Sequence, residues 1–115
     1  MTSDCLFCRI VGGEVPATRL HEDDEILAIR DIAPRAPTHI LLLPRRHIAS
    51  ALELTDADAT TVGRLFAVGA DLARSEGIAD AGYRLVTNVG RWGGQTVDHL
   101  HLHLMGGRAF DWPPG

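Results

Sequence analysis

An α+β fold built on one antiparallel sheet is what this sequence predicts. Short strand-like stretches fill its first part, one amphipathic helix occupies its middle, and two further strand-like stretches close it. A short helix over residues 5–11 is expected first, ended by Gly12-Gly13. Residues 17–22 (ATRLHE) and 25–31 (EILAIRD) flank Asp23-Asp24, and 39–44 (HILLLP) follows the turn PRAP; all three are short and partly β-branched, as antiparallel strands are. Thr55 then opens the long helix. Its hydroxyl can cap the amides with Asp58 three residues on, and Val62, Leu65, Phe66, Gly69, Leu72 and Ala73 follow at helical spacing until Gly77 ends the run. Residues 83–88 (YRLVTN) and 99–105 (HLHLHLM) read as the last two strands, joined by the glycine-rich loop VGRWGGQTVD, for a sheet of about five strands.

The bulk properties bound the function. A chain of 115 residues without repeats or a linker suits one domain over residues 1–115, and 45% hydrophobic residues supply a core. A net charge of -4 argues against electrostatic binding to long nucleic acid, which wants a basic face. The start MTSDCLFCRI has no basic-then-apolar pattern, and the longest apolar stretch, Ile40 to Leu43, is far short of the roughly 20 residues that span a membrane. A cytoplasmic protein is therefore expected, with Cys5 and Cys8 as thiols or metal ligands rather than a structural disulfide.

Half of the six histidines sit on alternate residues, His99, His101 and His103. On a strand they share one face, with Leu100, Leu102 and Leu104 on the other. A solvated face needs no imidazole, since lysine, threonine or glutamate would serve it as well; only imidazole is a neutral nucleophile, proton carrier and metal ligand near neutral pH. Same-face neighbours lie roughly 6.6–7 Å apart, so the three do not converge on one ion and are expected to face different partners.

Cys5-Leu-Phe-Cys8 has the spacing that brings two thiolates to one zinc. A thioredoxin-like redox pair competes, but that motif follows a strand in a βαβ unit, and here it opens the chain; two unrelated thiols are the plain alternative. Of the histidines left to complete a zinc site, His47 after Pro44-Arg45-Arg46 and His99 make the preferred pair, giving a closed Cys2His2 set.

HLHLHLMGGR resembles the signature of the histidine triad superfamily, and IRDIAPRAPTHILLLPRRHI over residues 29–48 is similar to that family's aspartate-to-histidine segment. The similarity covers almost the whole chain. GGQTVDHLHLHLMGGR and the ending WPPG resemble the Hint branch of histidine-triad nucleotide-binding proteins more than the dinucleotide hydrolases or the uridylyltransferases.

This resemblance implies a role for each matching residue. His101 would attack the α-phosphorus of a purine nucleoside 5′-phosphoramidate or an acyl- or aminoacyl-adenylate, forming a nucleotidyl-histidine that water hydrolyses to AMP or GMP. His103 and His39 would lie at the phosphate and assist proton transfer, and Thr96 stands where the branch commonly carries serine. Asp31 would bind the ribose hydroxyls, and Phe7, Ile10, Val15, Ile29 and Ile32 would enclose the purine. Asn88, Gly93, Gly94 and Gln95 precede the triad where backbone amides can approach a phosphate. The resemblance also implies zinc on Cys5, Cys8, His47 and His99, and a homodimer with the two sheets running together. The competing functions are a nucleotide-binding adaptor with incidental hydrolysis, a dinucleoside polyphosphate hydrolase, and a small zinc module without catalysis.

Overall fold

The computed structural model describes residues 4–115; Met1 to Ser3, the start of the N-terminal stretch read above, lie outside the described residues. Helix α1 spans Leu6–Val11, β1 Arg19–Glu22, β2 Ile26–Arg30, β3 Thr38–Pro44, α2 Ala59–Ser75, β4 Tyr83–Val86 and β5 Leu102–Gly106. The five strands form one antiparallel sheet in the order β1-β2-β3-β5-β4, as the alternating stretches predict.

The local chemistry explains the element ends. The Cys5 side chain accepts the Cys8 N–H at 3.4 Å and caps α1, and Gly12 closes that helix. Thr55 and Asp58 form the expected capping box, the Thr55 N–H donating to the Asp58 carboxylate at 2.9 Å, but the first turn, Asp56–Asp58, is a 3-10 turn and the α-helix proper begins at Ala59. Gly77, with φ of +75°, turns the chain out of α2, a conformation that L side chains disfavour.

Four strands are shorter than the stretches expected for them, β3 is one residue longer, and one difference matters for function. β5 begins at Leu102, so His99, in a bend, and His101 lie just before the ladder. There the Leu100 N–H donates to the Ile48 carbonyl at 2.6 Å instead of to a neighbouring strand. The expectation that the three histidines share one strand face is corrected with it: only His103 lies in the strand, while His99, fully buried, and His101, 4% exposed, stand before it.

Two apolar clusters cover the two faces of the sheet. Ile26, Ala28, Ile40, Leu42, Leu102 and Leu104 face α2 and pack with its Leu65, Val68 and Ala73. Gly69 faces the sheet as well: a Cβ there would meet Leu42 and Leu85 at 3.9 Å, an ordinary van der Waals contact. Phe66, expected on the buried stripe, is instead 48% exposed: it is one residue beyond Leu65, about 100° around the helix and away from the sheet. On the other face Leu27, Ile29, Leu41 and Leu43 pack against Phe7 and Ile10 of α1. Arg30, at the end of β2, donates two hydrogen bonds to Glu76 at 2.6 and 2.9 Å and ties the sheet to the end of α2. No helix among the described residues is long and apolar enough to cross a membrane.

Candidate functional site

On the α1 side of the sheet the register aligns Ile29, Leu41, His103 and Val86 across four strands. Period two then places His39 and Leu43 on the same side as Leu41. Above this row lies a cavity of about 230 Å³, walled by α1 and the segment 15–17 and closed at one end by Thr96 and Val97. Phe7, Ile10, Val15, Ile29, Asp31, Ile32, Thr96, His101 and His103 all line it. Ile32 is an open lip of the cavity, 96% exposed. His39 does not line the cavity but stands behind His103. Asn88, Gly94 and Gln95 are also outside it: Asn88 donates to the Gly93 carbonyl, the Gly94 N–H to the Arg91 carbonyl, and the Gln95 amide joins Gly90, Ala49 and Val97.

Each ring's tautomer follows from its partner. The Nδ1–H of His101 donates to the carbonyl of His99 at 2.7 Å, which leaves Nε2 with its lone pair and no partner among the described residues. Phe7 stands edge-on to this ring, centroids 4.9 Å apart. The Arg35 N–H donates to His39 Nδ1 at 3.0 Å, so the proton of a neutral His39 is on Nε2, and that N–H donates to His103 Nδ1 at 2.9 Å. His103 in turn carries its proton on Nε2. One N–H donor at one end and an N–H at the other make this a directed chain, Arg35 to His39 to His103.

Electrostatics keep both rings neutral. Burial, reinforced by His101 and His39 and opposed by Asp31, holds His103 down to about 4. Burial also lowers His39; the Asp31 carboxylate, 3.4 Å from its Nε2, opposes this and the Arg35 charge adds to it. Asp31, His39 and His103 are close enough to suggest a metal, with ligand atoms within 4.8 Å of one another. The donor chemistry disfavours one, because His39 Nε2 would have to lose its proton and shift it to Nδ1, which already accepts the Arg35 amide.

A second set is different. Cys5, Cys8, His47 and His99 also hold their ligand atoms within 4.8 Å of one another. The Nε2–H of His99 donates to the Pro44 carbonyl at 2.7 Å, so its Nδ1 lone pair faces Cys5 Sγ at 3.4 Å and Cys8 Sγ at 3.6 Å, and His47 Nδ1 is 3.3 Å from Cys8 Sγ. Tetrahedral zinc sets sulfur and nitrogen ligands about 3.5 Å apart, so the four residues fit that ion. A carbonyl that fixes the outer nitrogen of a metal-facing histidine is the usual support of such a site. The wider groove beside it, about 600 Å³ and lined by Asp4, Cys5, Leu6, His47, Thr96, Val97 and Asp98, touches neither His101 nor His103.

Several residues of the site have no motif of their own. Leu41, Arg30, Pro16, Ala17 and Val97 line the cavity. Leu41 alone had a signal, lying two positions from His39 in a strand-like run. Thr87, whose hydroxyl donates to the His101 carbonyl at 2.9 Å, had none.

Comparison with known proteins agrees with this geometry. The HIT domain profile matches residues 12–110. An uncharacterized HIT-like protein of Synechococcus elongatus is 48% identical over 115 residues, all of both chains. Among solved structures, a HIT family hydrolase from Legionella pneumophila Philadelphia 1 superposes with a TM-score of 0.95 at 51% identity, covering 97% of this chain and 100% of that one. A HIT family hydrolase from Clostridium thermocellum gives 0.91 at 42% identity, covering 100% and 98%. A histidine triad protein from Clostridium difficile gives 0.92 at 38%, covering 96% of each. With the triad segment, the five-stranded sheet and the profile match in agreement, the chain belongs to the HIT domain family.

Proposed function

We propose that this protein is a nucleotide-binding hydrolase of the Hint type that cleaves purine nucleoside 5′-phosphoramidates and related acyl- or aminoacyl-adenylates. The observation that carries the reading is His101, whose Nδ1–H is held by the His99 carbonyl while Nε2 stays unpartnered at the cavity. That is how an imidazole is prepared as a neutral nucleophile. The apolar wall of Phe7, Ile10, Val15 and Ile29 suits a purine, and Asp31 can accept two ribose hydroxyls. Nε2 of His101 attacks phosphorus, and the P–N bond of a phosphoramidate breaks with its electron pair on the amine, which takes a proton from water; in an adenylate the P–O bond breaks and the carboxylate leaves. Water then displaces His101 and releases AMP or GMP. His103, kept neutral, offers its Nε2–H to the phosphoryl oxygens, and His39 holds it in that tautomer. That the Legionella and Clostridium thermocellum relatives are described as HIT family hydrolases supports the class of reaction.

Zinc held by Cys5, Cys8, His47 and His99 would act as a structural cross-link between α1 and the segment that carries His101. Elemental analysis should find one zinc per chain, lost in Cys8→Ser; a purified protein without zinc whose Cys8→Ser variant is equally stable rejects the site. We place the protein in the cytoplasm, where the two thiols stay reduced. It works as a homodimer, for which the outer edge of β4, unpaired among the described residues, is available.

The test is a panel of adenosine and guanosine phosphoramidates, an aminoacyl-adenylate and diadenosine polyphosphates, run on the parent and His101→Ala proteins. Turnover of the phosphoramidates, with covalent AMP on His101 after rapid quenching, is expected. Equal turnover by His101→Ala, or preferential cleavage of the diadenosine compounds, overturns the reading.

A further inference from the structure

The sheet does not by itself fix the reactive histidine. His101 lies one residue before β5, outside the paired register. What holds the segment is a set of bonds from outside the sheet. The His99 N–H donates to the Val97 carbonyl at 2.9 Å, the Leu100 N–H to Ile48, and the Thr87 hydroxyl to the His101 carbonyl. One side chain lies at the head of this series. Gln95 donates one Nε2 hydrogen to the Ala49 carbonyl at 2.8 Å and the other to the Val97 carbonyl at 3.0 Å. Its Oε1 accepts the Gly90 N–H at 2.9 Å.

The loop that Gln95 anchors has little else to order it. Residues 90–94 are exposed, and Trp92 at its tip is 95% exposed. Its remaining order is internal: the Gly94 N–H donates to the Arg91 carbonyl at 3.2 Å, the Gln95 N–H to the Gly90 carbonyl at 3.1 Å, and Asn88 Nδ2 to the Gly93 carbonyl at 2.7 Å. A Cβ at Gly93 would lie 2.2 Å from the Val89 carbonyl oxygen, so the turn admits only glycine. Ala49 belongs to the segment after β3, which the buried Ile48 anchors in the core on the α2 side. Gln95 therefore joins the exposed glycine loop to the segment after β3 through Ala49, and to the Val97 carbonyl beyond Thr96.

We propose that Gln95 is a positioning residue for the reaction: its primary amide ties the glycine loop to Ala49 and Val97, and through Val97 and His99 sets where Thr96 and His101 stand. Gln95 then acts without touching the nucleotide, contrary to the ligand-contact role that its place before the triad implies. Only a primary amide can do this, since two donors and one acceptor must leave one planar group. Glutamate keeps the acceptor but sets lone pairs against two carbonyls, and methionine fills the space without any hydrogen bond. The inference rests on the nucleotidyl-transfer reading for its kinetic readout only.

The test compares the parent with Gln95→Met and Gln95→Glu in the full chain. Three quantities are measured: the single-turnover rate of AMP transfer to His101 from an adenosine phosphoramidate, the Kd for AMP, and the imidazole NMR signals of His101 without ligand. The expected result is a transfer rate lower by roughly 10- to 100-fold in both variants, AMP affinity within about threefold of the parent, and displaced His101 signals. Misplacement of a reacting group by about 1 Å is enough for such a loss. An AMP affinity that falls in step with the rate overturns the proposal in favour of direct contact. Unchanged rate and signals overturn it outright. If the parent itself transfers no AMP, the phosphoramidase reading fails, and the NMR comparison still decides the role of Gln95: displaced His101 signals sustain it and unchanged signals reject it.

Discussion

The two faces of the sheet are built from the same strands and obey opposite rules. The centre of the α2 face is apolar, with Ile26, Ala28, Leu42 and Leu104 completely buried, and packs on helix α2, its polar members Arg30 and Thr38 standing at the strand ends. The opposite face begins with equally apolar side chains, Leu27, Ile29, Leu41 and Leu43, but its continuation toward β5 is His39, His103 and, just outside the ladder, His101. There the chain keeps a cavity instead of filling it. Removing atoms from the first face should cost stability, whereas changing them on the second should cost chemistry.

The largest expected effect is on the second face. His101→Ala should lower phosphoramidate turnover by at least about 10³-fold, because no other imidazole nitrogen at the cavity is prepared for attack. Its urea midpoint should move little by comparison. A variant that unfolds instead would erase the distinction between the faces. Leu104→Ala tests the other face: the lost packing and the cavity it leaves should cost about 2–5 kcal/mol in chemical denaturation, with AMP binding retained in the folded fraction. A cost below about 1 kcal/mol would mean that the α2 face is not the structural one.

Acid should affect the second face selectively. His103 is held down to about 4 by burial beside His101 and His39, with Asp31 opposing. An unfolded histidine titrates near 6.5, so between these values the unfolded chain binds more protons. Stability is therefore fully present above about pH 6.5 and is lost as pH falls toward 4, by on the order of 3 kcal/mol for this group. The lowered His39 adds in the same direction. Urea midpoints at pH 7 and pH 4.5 measure it, and His103→Asn should flatten the slope. An unchanged slope in that variant would show that other groups set it. The smallest effect belongs to Thr87→Val, which removes one hydrogen bond to the His101 carbonyl: about 1 kcal/mol in stability or transfer rate, restored by Thr87→Ser. Equal loss in the serine variant would assign the effect to the methyl group and not to the bond.

Much of this was legible in advance because it depends on local pattern. The five strands, both helices and the Thr55–Asp58 cap follow from periodicity and end signals, and the apolar cavity wall of Phe7, Ile10, Val15 and Ile29 was reached through the family resemblance. The exposure of Phe66 was not legible, since a helical stripe wide enough to include it leaves open where the sheet ends. Nor was the frayed start of β5. An alternating run reads as strand throughout, yet Leu100 takes its partner from Ile48, a residue 52 positions away in the chain that only folding brings near.

What the sequence determined by itself is which residue types stand near one another along the chain: three histidines at period two, two cysteines one turn apart, and glycines where a loop must turn. Those are short-range facts, set by backbone geometry within a few residues. Only the tertiary structure decided what each imidazole does. His99, His101 and His103 have the same side chain, and they differ because the carbonyls of Pro44 and His99 and the Nε2–H of His39 take different ring nitrogens. A tautomer depends on the partner a fold supplies, and two of those three partners come from β3, a strand distant in sequence.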